Sequence, residues 1–233
     1  MFRGDDPELS RTIGRAWATA RDLGHPRVGT EHLLLALATG GGAVADLLGA
    51  HGVTADAIRE AARAAGPGGA AAAADREILA PLGVDLDRLP GAAALLDRPP
   101  AREPLLPFGA AKARRRCARM TPPLGLDLQA AYEASLRLAL ARRERWHRTH
   151  HLALALVAFD AGTAWVLGRV GGEPRALLAA LAAAFPPPRR NAVLRLDRRL
   201  GRRSRITGLV RRYERTTGRT VTTDPAAVVP LVA

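Results

Sequence analysis

Cysteine, lysine and aromatic residues are scarce in this 233-residue chain, and each shortage narrows what it can be. The one cysteine, Cys117, excludes an intramolecular disulfide and a cysteine zinc cluster, so a reducing compartment is the simplest expectation. Aromatics amount to 4%, and with alanine and leucine dominant the composition favours helices packed through small and branched side chains over a sheet. No apolar run reaches the length of a membrane span. The opening Met1-Phe2-Arg3-Gly4-Asp5-Asp6 lacks the apolar segment of a secretory signal, so the cytoplasm is the expected location. Lys112 is the only lysine and lies in Ala110-Ala111-Lys112-Ala113-Arg114 without a neighbouring Ser or Thr, which excludes a phosphate-binding loop. No Gly-x-Ser-x-Gly elbow occurs, and Ser10, Ser135 and Ser204 sit in helical or basic contexts with no visible His and Asp constellation. A protein that is not an enzyme and uses no cofactor is expected.

What is present is an internal repeat. The stretch Leu23-Gly24-His25-Pro26-Arg27-Val28-Gly29-Thr30-Glu31-His32-Leu33-Leu34-Leu35-Ala36-Leu37 returns in weaker form as Trp146-His147-Arg148-Thr149-His150-His151-Leu152-Ala153-Leu154-Ala155-Leu156. The offset from His32 to His151 also pairs Thr30 with Thr149, Leu33 with Leu152, Leu48 with Leu167, Gly49 with Gly168 and Gly52 with Gly171, without a gap. A constant offset over some forty residues means one supersecondary unit used twice.

Within the first copy Leu9, Ile13, Trp17 and Ala20 form an apolar stripe at spacings of three and four. Thr30 is placed to cap a second helix, whose Leu33, Leu34, Leu35 and Leu37 are too apolar for a surface element. Gly40 to Gly42 break that helix, Val44 to Leu48 form a third stopped by Gly52, and Thr54 caps a fourth through Ile58 to Ala65. Four short helices, none able to bury its face alone, must pack together. The spacing predicts an all-α chain in four parts: a first repeat over 1–65, an inter-repeat segment and basic linker over 66–122, a second, degenerate repeat over 123–185 and a basic helical tail over 186–233. Asp75 to Leu89 supply one or two short helices before a proline-rich stretch.

A duplicated helical unit with Gly29-Thr30-Glu31-His32-Leu33-Leu34-Leu35 after Leu23-Gly24-His25 resembles the substrate-receiving N-terminal domain of ClpC-type Clp ATPases, the Clp repeat domain. The middle segment Leu82-Gly83-Val84-Asp85-Leu86-Asp87 looks like the inter-repeat part of stand-alone actinobacterial relatives. The resemblance implies two pseudo-symmetric four-helix repeats that bind proteins or peptides without catalysis. In that family the glutamate of each such motif can receive a guanidinium group, including that of phosphoarginine, and a fixed carboxylate suits a bidentate arginine pair. Phe2, Thr30 and Glu31 are the residues the resemblance marks for ligand binding. At the matching position the second repeat has His150, and Arg148 replaces Gly29, so one guanidinium site per chain is expected. The plain alternative for Glu31 is a first-turn carboxylate facing the helix dipole.

His147, His150 and His151 cluster at a helix start, where three imidazoles would suit zinc; without a paired carboxylate or thiol no metal site is assigned, and a structural hydrogen bond accounts for the histidine shared with His32. Charge is unevenly spread. Residues 98–119 carry a net +6, residues 189–219 a net +10 and the rest of the chain −3. A basic patch of Arg114, Arg115, Arg116, Arg198, Arg199, Arg202 and Arg203 is therefore where a polyanion would bind. Two readings follow: an adaptor or decoy in Clp-dependent proteolysis, with protein substrates, arginine-bearing peptides and Clp protease subunits as partners, or a nucleic-acid-associated protein.

Overall fold

Proline and carboxylate side chains set the first helix: Asp6 accepts the N–H of Glu8 at 3.0 Å and Pro7 occupies the first turn of α1, Pro7–Asp22. The computed structural model describes residues 3–85, 88 and 121–188. Phe2, the arginine-rich patch and the basic tail beyond Pro188 lie outside them. Among the described residues the remaining helices are α2, Thr30–Ala38; α3, Gly42–Ala50; α4, Ala55–Ala65; α5, Gly69–Leu79, followed by a 3₁₀ turn at Ala80–Leu82; α6, Leu126–Ala141; α7, Thr149–Phe159; α8, Ala161–Arg169; and α9, Pro174–Ala184. Two short strands, β1 at Gly4–Asp5 and β2 at Trp146–His147, pair in parallel. The fold is all-α apart from these.

α1, α3 and α4 correspond residue for residue to α6, α8 and α9, and α2 and α7 begin at matching positions. Strand pairing follows the same correspondence and crosses between the copies. Asp5 pairs with His147, while Leu124, the equivalent of Asp5, bridges to Val28, the equivalent of His147. Gly125 N–H donates to the Val28 carbonyl at 2.9 Å, and Asp6 N–H donates to the His147 carbonyl at 2.8 Å. Each copy thus completes the edge of the other. Leu33, Leu34, Leu48 and Ile58 share one core with Leu152, Leu156, Leu167, Leu177 and Leu181.

Local differences from the sequence expectation have simple causes. Gly29, not Thr30, is the cap of α2, because the third residue, His32, reaches back to accept the Gly29 N–H at 2.9 Å and Asp127 takes the N–H of Thr30. Thr54 does cap α4, accepting the N–H of Ala57 at 3.3 Å. The alanine run Ala70–Ala74 joins α5 and buries Ala70, Ala73 and Ala74. The helix therefore starts earlier than Asp75, the start expected from the sequence.

Candidate functional site

Every residue from Thr30 to Leu37 of α2 is buried, so the carboxylate next to the helix cap is carried inside the protein. Glu31 is 1% exposed. Its Oε1 lies 3.2 Å from Nδ1 of His32 and 3.9 Å from Nδ1 of His25, while Oε2 has no hydrogen-bond partner among the described residues. Burial pushes its pKa up, but His25 and the N–H groups of Glu31 and Ala70 outweigh burial and hold it below the usual carboxylate range. The anion bends back over Gly29. A Cβ there would meet Glu31 Oε2 at 2.4 Å, so a glycine at 29 and a folded-back glutamate at 31 belong together.

Two more carboxylates converge on Thr30. Asp127, from the first turn of α6, accepts the Thr30 N–H at 2.9 Å and its hydroxyl at 3.3 Å. Asp160 caps α8 by accepting the Thr163 N–H at 2.6 Å and also bonds Thr30. Burial, then the charges of Glu31 and Asp160, push the Asp127 carboxyl up to about 6. Asp160 is raised too, chiefly by burial. Four helix N-termini, those of α2, α5, α6 and α8, thus meet around one buried acidic group, each supplying an N–H donor to a carboxylate.

The second repeat builds a different object at the same place. His150, in the position of Glu31, stacks on Phe185 with ring centroids 4.7 Å apart, and its Nε2 lies 3.6 Å from Glu144. Burial and the neighbouring His151 hold its pKa below the usual range, so the ring is neutral at neutral pH. His151 repeats the part of His32, its Nδ1 accepting the Arg148 N–H at 3.0 Å. The sequence grouped His147 with His150 and His151; the fold replaces it with Glu144, the equivalent of His25. Both sets, His25–Glu31–His32 and Glu144–His150–His151, hold potential ligand atoms within 4.8 Å of one another. Their central histidines make poor metal ligands, because a neutral ring that accepts an N–H at Nδ1 carries its proton on Nε2 and has no free lone pair.

His147 is found elsewhere, in a constellation that the sequence did not show. Its Nε2 lies 2.8 Å from Ser135 Oγ and its Nδ1 2.9 Å from Asp5 Oδ1, and Tyr132 Oη donates to Asp5 Oδ2 at 2.6 Å. The expectation that Ser135 has no His and Asp companions is therefore corrected: the crossed strands bring Asp5 across from the other copy. The order Ser–His–Asp is that of a hydrolase triad, but the Tyr132 carbonyl, 2.7 Å from Ser135 Oγ, competes with the ring for the hydroxyl proton, and the hydroxyl has no access to solvent. Ser135 and His147 are wholly buried. The group is a latch between β1, β2 and α6. Although burial pushes Asp5 up, the bonds from His147 and Tyr132 hold its pKa below the usual value.

Comparison with known proteins agrees with the first repeat. Residues 6–72, covering α1 to the start of α5, match the family model of the Clp repeat (R) N-terminal domain. No curated protein matches the chain. Among solved structures, the N-terminal domain of the caseinolytic protease associated chaperone ClpD from Arabidopsis thaliana is similar at 20% identity and a TM-score of 0.48, over 77% of this chain and 96% of that one. No single helix among the described residues is long and apolar enough to cross a membrane. Over residues 6–72 the chain is therefore similar to the Clp repeat (R) N-terminal domain.

Proposed function

We propose that this chain is a non-catalytic receptor for protein segments, acting as an adaptor or a decoy in Clp-dependent proteolysis. In Clp ATPases the N-terminal domain binds substrates or adaptors. A guanidinium group is the natural complement of the buried Glu31 carboxylate. Arginine-bearing or phosphoarginine-bearing segments are the substrates proposed. His150, a neutral ring already packed on Phe185, offers no anion, so the two repeats are unequal.

Calorimetry with a phosphoarginine peptide tests this on wild type, Glu31→Ala and His150→Ala. One site per chain is expected, weakened in the first variant by about 1.5 to 3 kcal/mol, roughly ten- to a hundredfold, and retained in the second. Binding indifferent to Glu31 would remove the basis of the proposal. Recovery of Clp subunits from a native lysate would then separate the proteolytic role from binding alone. The net charges of +6 and +10 on residues 98–119 and 189–219 support a second reading, nucleic-acid association; a steep fall of affinity with salt would favour it.

A further inference from the structure

The start of α5 sits on Glu31, and this contact has the properties of a removable cover. α5 receives no side-chain cap from its own Gly68; the Glu31 carboxylate instead faces the Ala70 N–H, providing negative charge at the helix N-terminus. The fit is close. Gly69 has φ +79°, and a Cβ there would meet Glu31 Oε1 at 2.9 Å; a Cβ on Gly162 of α8 would meet the Ala71 nitrogen at 2.9 Å and Thr30 Oγ1 at 2.8 Å. The rest of the seat, against α8, α4 and α2, is built from small side chains. The buried face of α5 is Gly69, Ala70, Ala73 and Ala74, which gives little apolar area to lose on release. Its other anchor is Glu77, which accepts from Trp165 Nε1 and from Arg169, each at 2.8 Å. Gly66-Pro67-Gly68 precedes the helix and Gly69 opens it, with positive φ at Gly66 and Gly69, so the joint can rotate at low cost.

We propose that α5 is an intramolecular gate: its first turn occupies the carboxylate that a ligand guanidinium would use, and ligand binding requires α5 to leave its seat between α2 and α8. The gate rests on Glu31 being the receptor proposed above. Both events compete for the same buried acceptor, so affinity is reduced by the fraction of time the seat is closed.

The test uses the full chain with Gly162→Ala, which places a methyl against the α5 backbone, and Glu77→Ala, which removes the distal anchor from an exposed position. Amide hydrogen exchange across residues 70–79 reads the seating of α5, and calorimetry with free phosphoarginine reads the site. Both variants are expected to lose protection in α5 and to bind the probe more tightly than wild type, about tenfold for a seat closed about nine-tenths of the time. Adding Glu31→Ala to either background is expected to abolish the gain. Release of α5 with unchanged affinity overturns the gate while leaving the receptor intact. If no protein binds, whether α5 is seated or released, the receptor reading fails and takes the gate with it. Undiminished protection in both variants also overturns the gate.

Discussion

Glu31 and His150 occupy the same place in two copies of one unit, and the residues around each decide what it can do. The Glu31 anion is tolerated in the interior because His25 and backbone N–H groups face it. Asp127 has Glu31 and Asp160 as neighbours, so burial and like charge push its pKa up to about 6. A carboxyl raised in this way favours the folded state below its unfolded pKa, and that contribution is lost as pH rises through about 6. Asp127→Asn is therefore expected to stabilise the protein at pH 7 by about 1 to 3 kcal/mol and to have little effect near pH 4, as checked by urea titration at both values. The depressed histidines His150 and His151 act in the opposite direction, since the unfolded chain binds their protons first as pH falls below 6.5. In the core, Leu33→Ala or Leu156→Ala should each cost about 2 to 5 kcal/mol, because each side chain is fully enclosed.

At the scale of elements, the two copies solve one packing problem with different chemistry. Asp5, Tyr132, Ser135 and His147 form a polar latch at positions where the other copy places Leu124, Ile13, Ala16 and Val28. Breaking one side of the latch leaves a buried imidazole nitrogen without its acceptor; Asp5→Leu is expected to cost about 1 to 3 kcal/mol. Replacing both partners with the residues of the other copy, Asp5→Leu with His147→Val, should cost less than the sum of the single changes, and a double-mutant cycle in denaturant measures the difference. Additive costs would mean that the latch contributes no pairing energy. Helix caps follow simpler rules: Thr54→Ala removes the N–H acceptor of α4 and should cost about 0.5 to 2 kcal/mol.

At the scale of the whole molecule, the crossed strands and the common leucine core make the two repeats interdependent. Neither edge is complete without a segment from the other copy. Unfolding is therefore expected to be a single transition. Trp17 reports on the first repeat and Trp165 on the second; variants that keep one of these as the sole tryptophan, with Trp146 also replaced by Phe, should give coincident urea transitions, and separated midpoints would show that the repeats fold as independent domains.

The sequence by itself determined the elements. Apolar spacing, glycine breaks, the Thr54 cap and the constant offset from His32 to His151 are local signals, so they are legible residue by residue. The resemblance of its motif to the Clp repeat marked Glu31 as the carboxylate of interest, with His150 at the matching position. Tertiary structure decided everything that depends on residues far apart in the chain. Asp5 meets Ser135 only because the strands cross, Asp127 and Asp160 reach Thr30 only because helix starts converge, and α5 reaches Glu31 only because Gly69 and Gly162 leave room. Hydrophobic periodicity states which face of a helix is buried but not what it is buried against. The burial of Glu31 under α5, on which access to the proposed site turns, was therefore invisible until the two copies were packed together.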